Sequence, residues 1–191
     1  MKYINKISNY THEVKQSKFI AYLVPYDKYN EKLSKLKKEH PKARHFVVAY
    51  RYLNQFNQIV EYSTDDGEPK GTSGKPTLFV LQGNQIINSA VIIVRYFGGT
   101  KLGTGGLVRA YSEATNLALS QANLNIYKQL KKQTFSCFYK DSRLVDYECI
   151  ENSIKIVEKR FENDIIYIVE AIQSDMDSFE KRLNRIIKVI S

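Results

Sequence analysis

The sequence predicts an α+β protein in two parts, and three observations lead there. Short β-rich segments alternate with stretches whose apolar residues recur at helical spacing. The last third runs strand, helix, strand, strand, helix in about 60 residues, the order of a small sandwich with helices on one face of an antiparallel sheet. The charge balance changes at the same boundary. Residues 1–128 carry 18 Lys and Arg against 9 Asp and Glu, whereas residues 129–191 carry 11 of each. The whole +9 net charge of the 191-residue chain therefore lies in the first part.

The elements follow in order. Phe19 to Val24 reads as a strand. Tyr29, Leu33 and Leu36 mark a helix over Lys28 to Lys38, closed by Pro41. His45 to Tyr52 and Ile59 to Tyr62 alternate and form a hairpin. Lys75 to Leu81 is a short helix, with Ser73 as its cap, Pro76 in its first turn and Gly83 as its stop. Asn88 to Tyr96 is apolar enough to be a central strand. Leu107 to Gln121 is a helix packed through Leu107, Ala110, Tyr111, Ala114, Leu117, Ala118 and Gln121. The first part ends near Lys128. In the second, Gln133 to Tyr139 is a strand and Asp141 to Ile154 a helix with Leu144, Tyr147 and Ile150 on its packed side. Ile156 to Phe161 and Ile165 to Ile172 form a hairpin, and Met176 to Ile190 a closing helix.

Composition narrows the function classes. With 43% hydrophobic and 26% charged residues the chain is globular rather than disordered or collagen-like. Its longest apolar run, Ala90 to Val94, falls far short of the roughly 20 residues a membrane span needs. The N-terminus alternates charge and polarity, unlike a secretory signal. Two cysteines, Cys137 and Cys149, match neither a disulfide framework nor a zinc site and read as small buried side chains. A cytoplasmic protein with no membrane partner is expected. The basic excess fits either a phosphate-bearing partner or a solvated face.

Two loops carry the chemistry. Arg95 to Tyr111 joins the central strand to a helix through Gly98, Gly99, Gly103, Gly105 and Gly106, five of the nine glycines in the chain. With Lys101 inside it and Arg95 and Arg109 flanking it, the loop reads as an anion cradle at a helix N-terminus. The other reading is a tight strand-to-helix turn that needs positive φ. Gly98 and Gly103 have P-loop spacing, but Thr104 stands where that motif requires lysine. Tyr96 and Phe97 would stack a base if exposed. The earlier loop packs Asp65, Asp66 and Glu68 around Gly67. These carboxylates either hold magnesium or are turn residues that pair with Arg95 or Lys101. Gly71, Thr72, Ser73 and Gly74 follow, the last three as a second candidate backbone nest. His45 has no sequence-local partner and reads as structural.

YSTDDGEPKGTSGKP (62–76) followed by VIIVRYFGGTKLGTGGLVRAYSEA (91–114) resembles the Impact family in its bacterial, YigZ-like branch, over roughly residues 15–122. The resemblance implies a first domain, 1–128, of the ribosomal protein S5 domain 2-like fold, and a ferredoxin-like βαββα domain, 129–191, similar to the last domain of elongation factor G. It also implies a link to translation. The family's motif positions are matched by Asp65, Asp66, Gly67, Glu68, Gly71 and Gly74 in one loop. In the other they are matched by Arg95, Tyr96, Gly98, Gly99, Lys101, Gly103, Gly105, Gly106, Arg109 and Tyr111. Ser73 stands where alanine is more usual. The kinase-regulating role of the eukaryotic members depends on an extra N-terminal domain and is not carried over.

The expectation is a non-enzymatic protein that binds RNA or the ribosome and modulates translation, with no cofactor, no metal and no catalytic residues. Lys101, Arg95, Arg109 and the loop amides would contact phosphate. Two alternatives stay open. One is a protein-binding adaptor using the aromatic surface of the first domain. The other is a magnesium-dependent enzyme on a phosphorylated small molecule.

Overall fold

Strand β3 (Ser17–Pro25) shows how the sequence builds the first unit, because its side chains point alternately to two separate cores. Phe19, Ala21 and Leu23 join one apolar cluster, whereas Val24, flanked by Ile20 and Tyr22, joins another. A sheet covered on both faces results. This computed structural model describes residues 1–190, and the chain divides into two compact units, Met1–Tyr127 and Lys128–Ser191.

In the first unit, β1 (Lys2–Ile4), β2 (Ser8–Val14) and β3 precede helix α1 (Tyr29–Glu39). Strands β4 (His45–Leu53) and β5 (Ile59–Thr64), helix α2 (Gly74–Gly83), strand β6 (Ser89–Tyr96), helix α3 (Gly103–Ser120) and strand β7 (Leu124–Ile126) follow. The five-stranded sheet has the order β2-β3-β6-β4-β5 and is antiparallel throughout. Its middle strand is β6, whose residues from Ser89 to Arg95 are all buried, as its unbroken apolar run requires. Helices α2 and α3 pack on each other and on one face, and α1 lies over β3 and β6 on the other. The register sets Arg95 opposite both Phe19 and His45.

The second unit comprises β8 (Lys131–Cys137), α4 (Ser142–Glu151), β9 (Lys155–Phe161), β10 (Ile165–Ala171), α5 (Gln173–Leu183) and β11 (Ile187–Val189). Its antiparallel sheet has the order β11-β8-β10-β9. Asp146 on α4 ties the helix to the hairpin, accepting from Lys159 Nζ at 2.9 Å and from the Tyr167 hydroxyl at 2.8 Å. Both cysteines are free and buried, and burial, followed by the nearby Asp146 charge, pushes the Cys149 thiol up to about 12.

Taken together the chain is a mixed α+β protein, with four departures from the sequence expectation. Strands β1, β2 and β7 were not foreseen: β1 and β7 are three-residue strands that pair with each other, and β2 is a mostly exposed edge strand whose polar residues give little alternation. Helix α3 buries Thr115 and Leu119, while Gln121 lies beyond its end and Leu117 is only partly covered. The closing helix stops at Leu183, because the β-branched run Ile186–Ile190 favours a strand, and β11 pairs Ile187 with Cys137 and Val189 with Phe135. Helix α4 buries Val145 and Cys149, not the expected stripe. Leu144, Tyr147 and Ile150 are 43%, 56% and 76% exposed. Both stripes have helical spacing, and small Cys149 hid the one that packs.

That last difference is measurable. Val145→Ala should cost roughly 2 kcal/mol in urea unfolding, while Ile150→Ser should stay within about 0.5 kcal/mol. The reverse ranking would restore the sequence-based face.

Candidate anion site at the end of the central strand

At the end of β6 the chain holds a buried ion pair. Arg95 Nη1 donates to Glu68 Oε1 at 2.6 Å, and the Tyr111 hydroxyl donates to the same oxygen at 2.7 Å. All three side chains are buried. Phe19 lies under the guanidinium at 5.3 Å and meets Tyr111 edge-on at 5.0 Å. Burial, and then the Glu68 charge, drive the Tyr111 pKa far up, so the hydroxyl remains a donor. One Glu68 oxygen thereby joins three distant parts of the chain: the acidic loop, β6 and α3.

The other two carboxylates of that loop are also engaged. Asp65 Oδ1 accepts the Ser73 and Gly74 N–H groups at 3.1 and 2.8 Å and the Ser73 hydroxyl at 2.7 Å. Asp65 Oδ2 accepts the Gly71 N–H at 2.7 Å. Asp65 thus caps the start of α2 from a distance, a task the sequence had given to the Ser73 side chain. Burial works to raise the Asp65 carboxyl, but these hydrogen bonds, led by that from Gly71, outweigh it and hold the pKa below the usual carboxylate range. The nest expected over Thr72, Ser73 and Gly74 is therefore filled by the chain's own carboxylate, and Thr72 Oγ1 donates to the Pro69 carbonyl at 2.7 Å. Gly74 passes so close to Thr64 that a Cβ would stand 2.7 Å from its carbonyl oxygen. Asp66 Oδ2 takes the Phe46 N–H at 2.6 Å, and its carbonyl accepts from His45 Nδ1 at 2.8 Å. A carbonyl can only accept, so Nδ1 carries the proton in that bond. The three carboxylates thus bond in three different directions. Among the described residues no cluster of three His, Cys, Asp or Glu side chains is arranged to hold a metal.

The glycine loop is first a packing element. Gly98 donates its N–H to Ser17 Oγ at 3.1 Å, and a Cβ there would stand 2.0 Å from the Gln16 carbonyl carbon. Only glycine allows the loop to lie that close to the β2–β3 turn. Gly99 and Gly103 take positive φ, while Gly106 sits tightly on Leu102. The tight-turn reading of the loop thus applies at Gly99 and Gly103. Beyond the turn, Lys101, Gly103, Thr104 and Gly105 are exposed, and no side chain caps the N-terminus of α3. Its first N–H groups face solvent with the positive end of an 18-residue helix dipole behind them.

Two cavities open beside this end of the sheet. One, of about 410 Å³, is lined by Lys42, Arg44, His45, Arg95, Tyr96, Phe97 and Lys101. The second, of about 340 Å³, lies between Glu68, Arg95, Phe97, Lys101 and the α3 start at Gly103 and Thr104. Among the described residues, Lys42, Arg44 and Lys101 make no ion pair. Buried Arg95 lines both cavities, and its Nε has no hydrogen-bond partner. Arg95 therefore differs from the exposed phosphate contact expected of it: one end of the guanidinium is held by Glu68. Arg109 is apart as well, in a groove of about 470 Å³ with His12, Lys15 and Glu113. Lys42, Arg44 and His45 were missed as partners of Lys101. Only the β4–β6 pairing brings them together, and no local motif announces that pairing.

Comparisons with known proteins converge on one family. Residues 15–119 match the sequence model of the Impact N-terminal domain. An IMPACT family member from Haemophilus influenzae is 35% identical over 174 residues, covering 90% of this chain and 84% of the relative. The IMPACT family member YigZ of Escherichia coli is 40% identical over 131 residues, covering 66% of this chain and 64% of its own length. A crystal structure described as a hypothetical protein aligns over 100% of this chain and 96% of its own, with a TM-score of 0.67 and 27% identity.

The ion pair makes a sharp prediction. Glu68→Gln leaves a buried guanidinium without its counter-charge and should cost about 3–5 kcal/mol in urea unfolding. Glu68→Leu combined with Arg95→Met should recover much of that loss. A Glu68→Gln protein as stable as wild type would show that the pair does not hold the loops.

Proposed function

The chain belongs to the Impact family, and on that premise we propose that it is a cytoplasmic, non-enzymatic protein that binds RNA or the ribosome and modulates translation. The observation that carries this reading is the 410 Å³ cavity with Lys42, Arg44 and Lys101 at its wall and no carboxylate among the residues that line it. Phosphate is the group such a site attracts, since its three unpaired cations favour negative charge, and the uncapped start of α3 adds to this in the neighbouring 340 Å³ cavity that Lys101 also lines. The basic excess confined to residues 1–128 supports a long-range attraction of the same sign. No described helix is long and apolar enough to cross a membrane.

The same premise supports a finer reading of the fold, with residues 1–128 and 129–191 as separate domains. The βαββα order of the second unit, closed by β11 into a four-stranded antiparallel sheet, fits a ferredoxin-like domain. The first unit would then be S5 domain 2-like, the pairing that ends elongation factor G. A magnesium-dependent reaction is less well supported, because Asp65, Asp66 and Glu68 bond to separate partners rather than converge.

Sucrose-gradient sedimentation of cell lysate tests the proposal. The tagged protein should travel with a ribosomal particle at low salt and return to the top at high salt. Lys101→Glu should stay at the top even at low salt. Wild-type protein at the top under all conditions would overturn ribosome binding.

A further inference from the structure

The face of the sheet under α1 is covered unevenly. The helix lies over β3 and β6, and the β4–β5 half beyond it is paved with tyrosine. Tyr50 and Tyr62 are direct cross-strand partners with rings stacked at 5.1 Å and 22°. Tyr52 shares their face and stacks on Tyr26 at 4.0 Å and 10°. Tyr26 in turn meets Tyr29 at 5.4 Å and Tyr50 edge-on at 5.1 Å. Three rings from the β4–β5 hairpin, with Tyr26 and Tyr29 from the segment leading into α1, thus form one continuous aromatic cluster at the sheet edge, of which Tyr29 and Tyr50 also pack on the core under α1. Tyr62, at the rim, is 47% exposed. Beside the rings a cavity of about 290 Å³ is lined by Tyr29, Asn30, Lys37, Tyr50 and Tyr62 among others.

Charge and continuity indicate the occupant. Lys37, over the Phe46 ring at 5.9 Å, lines the cavity beside the rings, whereas Lys32, over Tyr22 at 4.7 Å, is paired with Glu39 at 3.9 Å. Asp66, the one acid among the residues lining that cavity, already accepts the Phe46 N–H. Burial, followed by a hydrogen bond with Tyr52 in one case and the neighbouring Tyr29 in the other, raises the pKa of Tyr26 and Tyr50. These two rings therefore meet a polyanion uncharged. The cationic cavity lies at the His45 end of β4, roughly 17 Å along the strand from Tyr50, and Tyr96 in its wall belongs to the tyrosine-bearing face, although His45 itself points to the other. Aromatic surfaces beside a cationic track are how unpaired bases are held, because every base has a π-face, whereas a duplex hides those faces.

We propose that the Tyr26–Tyr29–Tyr50–Tyr52–Tyr62 surface stacks the unpaired bases of a single-stranded RNA whose phosphates lie in the cavity of Lys42, Arg44 and Lys101. This rests on the nucleic-acid reading above and adds to it the strandedness of the target.

The chain has 14 tyrosines and no tryptophan, so its ultraviolet emission reports tyrosine alone. Wild-type protein is titrated with a short single-stranded RNA, with the same strand made abasic, and with its duplex. The intact single strand should quench the emission and bind roughly tenfold or more tighter than the other two. Tyr62→Ala should lose about tenfold in affinity for the single strand alone, and Tyr62→Phe should retain it, with melting curves confirming that both fold. Equal, salt-sensitive binding of all three nucleic acids, unaffected by Tyr62→Ala, would overturn the stacking proposal and leave phosphate binding standing. Absence of binding to any of them would overturn both and leave the tyrosine face to a protein partner.

Discussion

The Glu68–Arg95 pair, with the Tyr111 hydroxyl on the same oxygen, is the constraint on which the rest of the first unit depends. A guanidinium at the end of a fully buried strand cannot stand without a counter-charge. Glu68 supplies it from a loop 27 residues away in sequence. That requirement fixes where the acidic loop lies, and Asp65 then reaches the α2 start while Asp66 reaches β4. The loop is held by its own carboxylates. The charges left without an ion pair in the adjoining cavity, on Lys42, Arg44 and Lys101, are cationic.

This division sorts the residues of the two motifs by role. Glycines at 74, 98 and 106 permit close packing, and Asp65, Asp66 and Glu68 tie the loops together. Lys101 and the uncapped amides of α3 are left facing solvent. Most of the motif is therefore scaffold, and the proposed binding falls to the few groups the scaffold does not use. Arg95 sits between the roles, with Nη1 bonded to Glu68 and Nε free.

How much of this the sequence showed depended on the range of the interaction. Strand β6 was legible because its apolar run is long, and the β4–β5 hairpin because it alternates. The pairing of an acidic-loop residue with Arg95 or Lys101 was legible as one option, since opposite charges flanked the same motif. Long-range pairings were not. His45 stands beside Arg95, and Lys42 and Arg44 share a cavity with Lys101, only because β4 lies next to β6. The packed face of α4 was misread because Cys149 counts as small in a pattern search yet is fully buried. The strand after α5 was misread because Ile186 and Ile187 satisfy a helical period until their β-branching is weighed.

The most direct test is the salt dependence of binding to a short single-stranded RNA. On a log–log plot, affinity should fall linearly with salt. Each of Lys42→Ala, Arg44→Ala and Lys101→Ala should make the slope shallower by about 0.7, as expected when one single-strand phosphate contact is lost. An unchanged slope in all three variants would contradict the claim that these cations, left free by the Glu68–Arg95 scaffold, are the phosphate-binding groups.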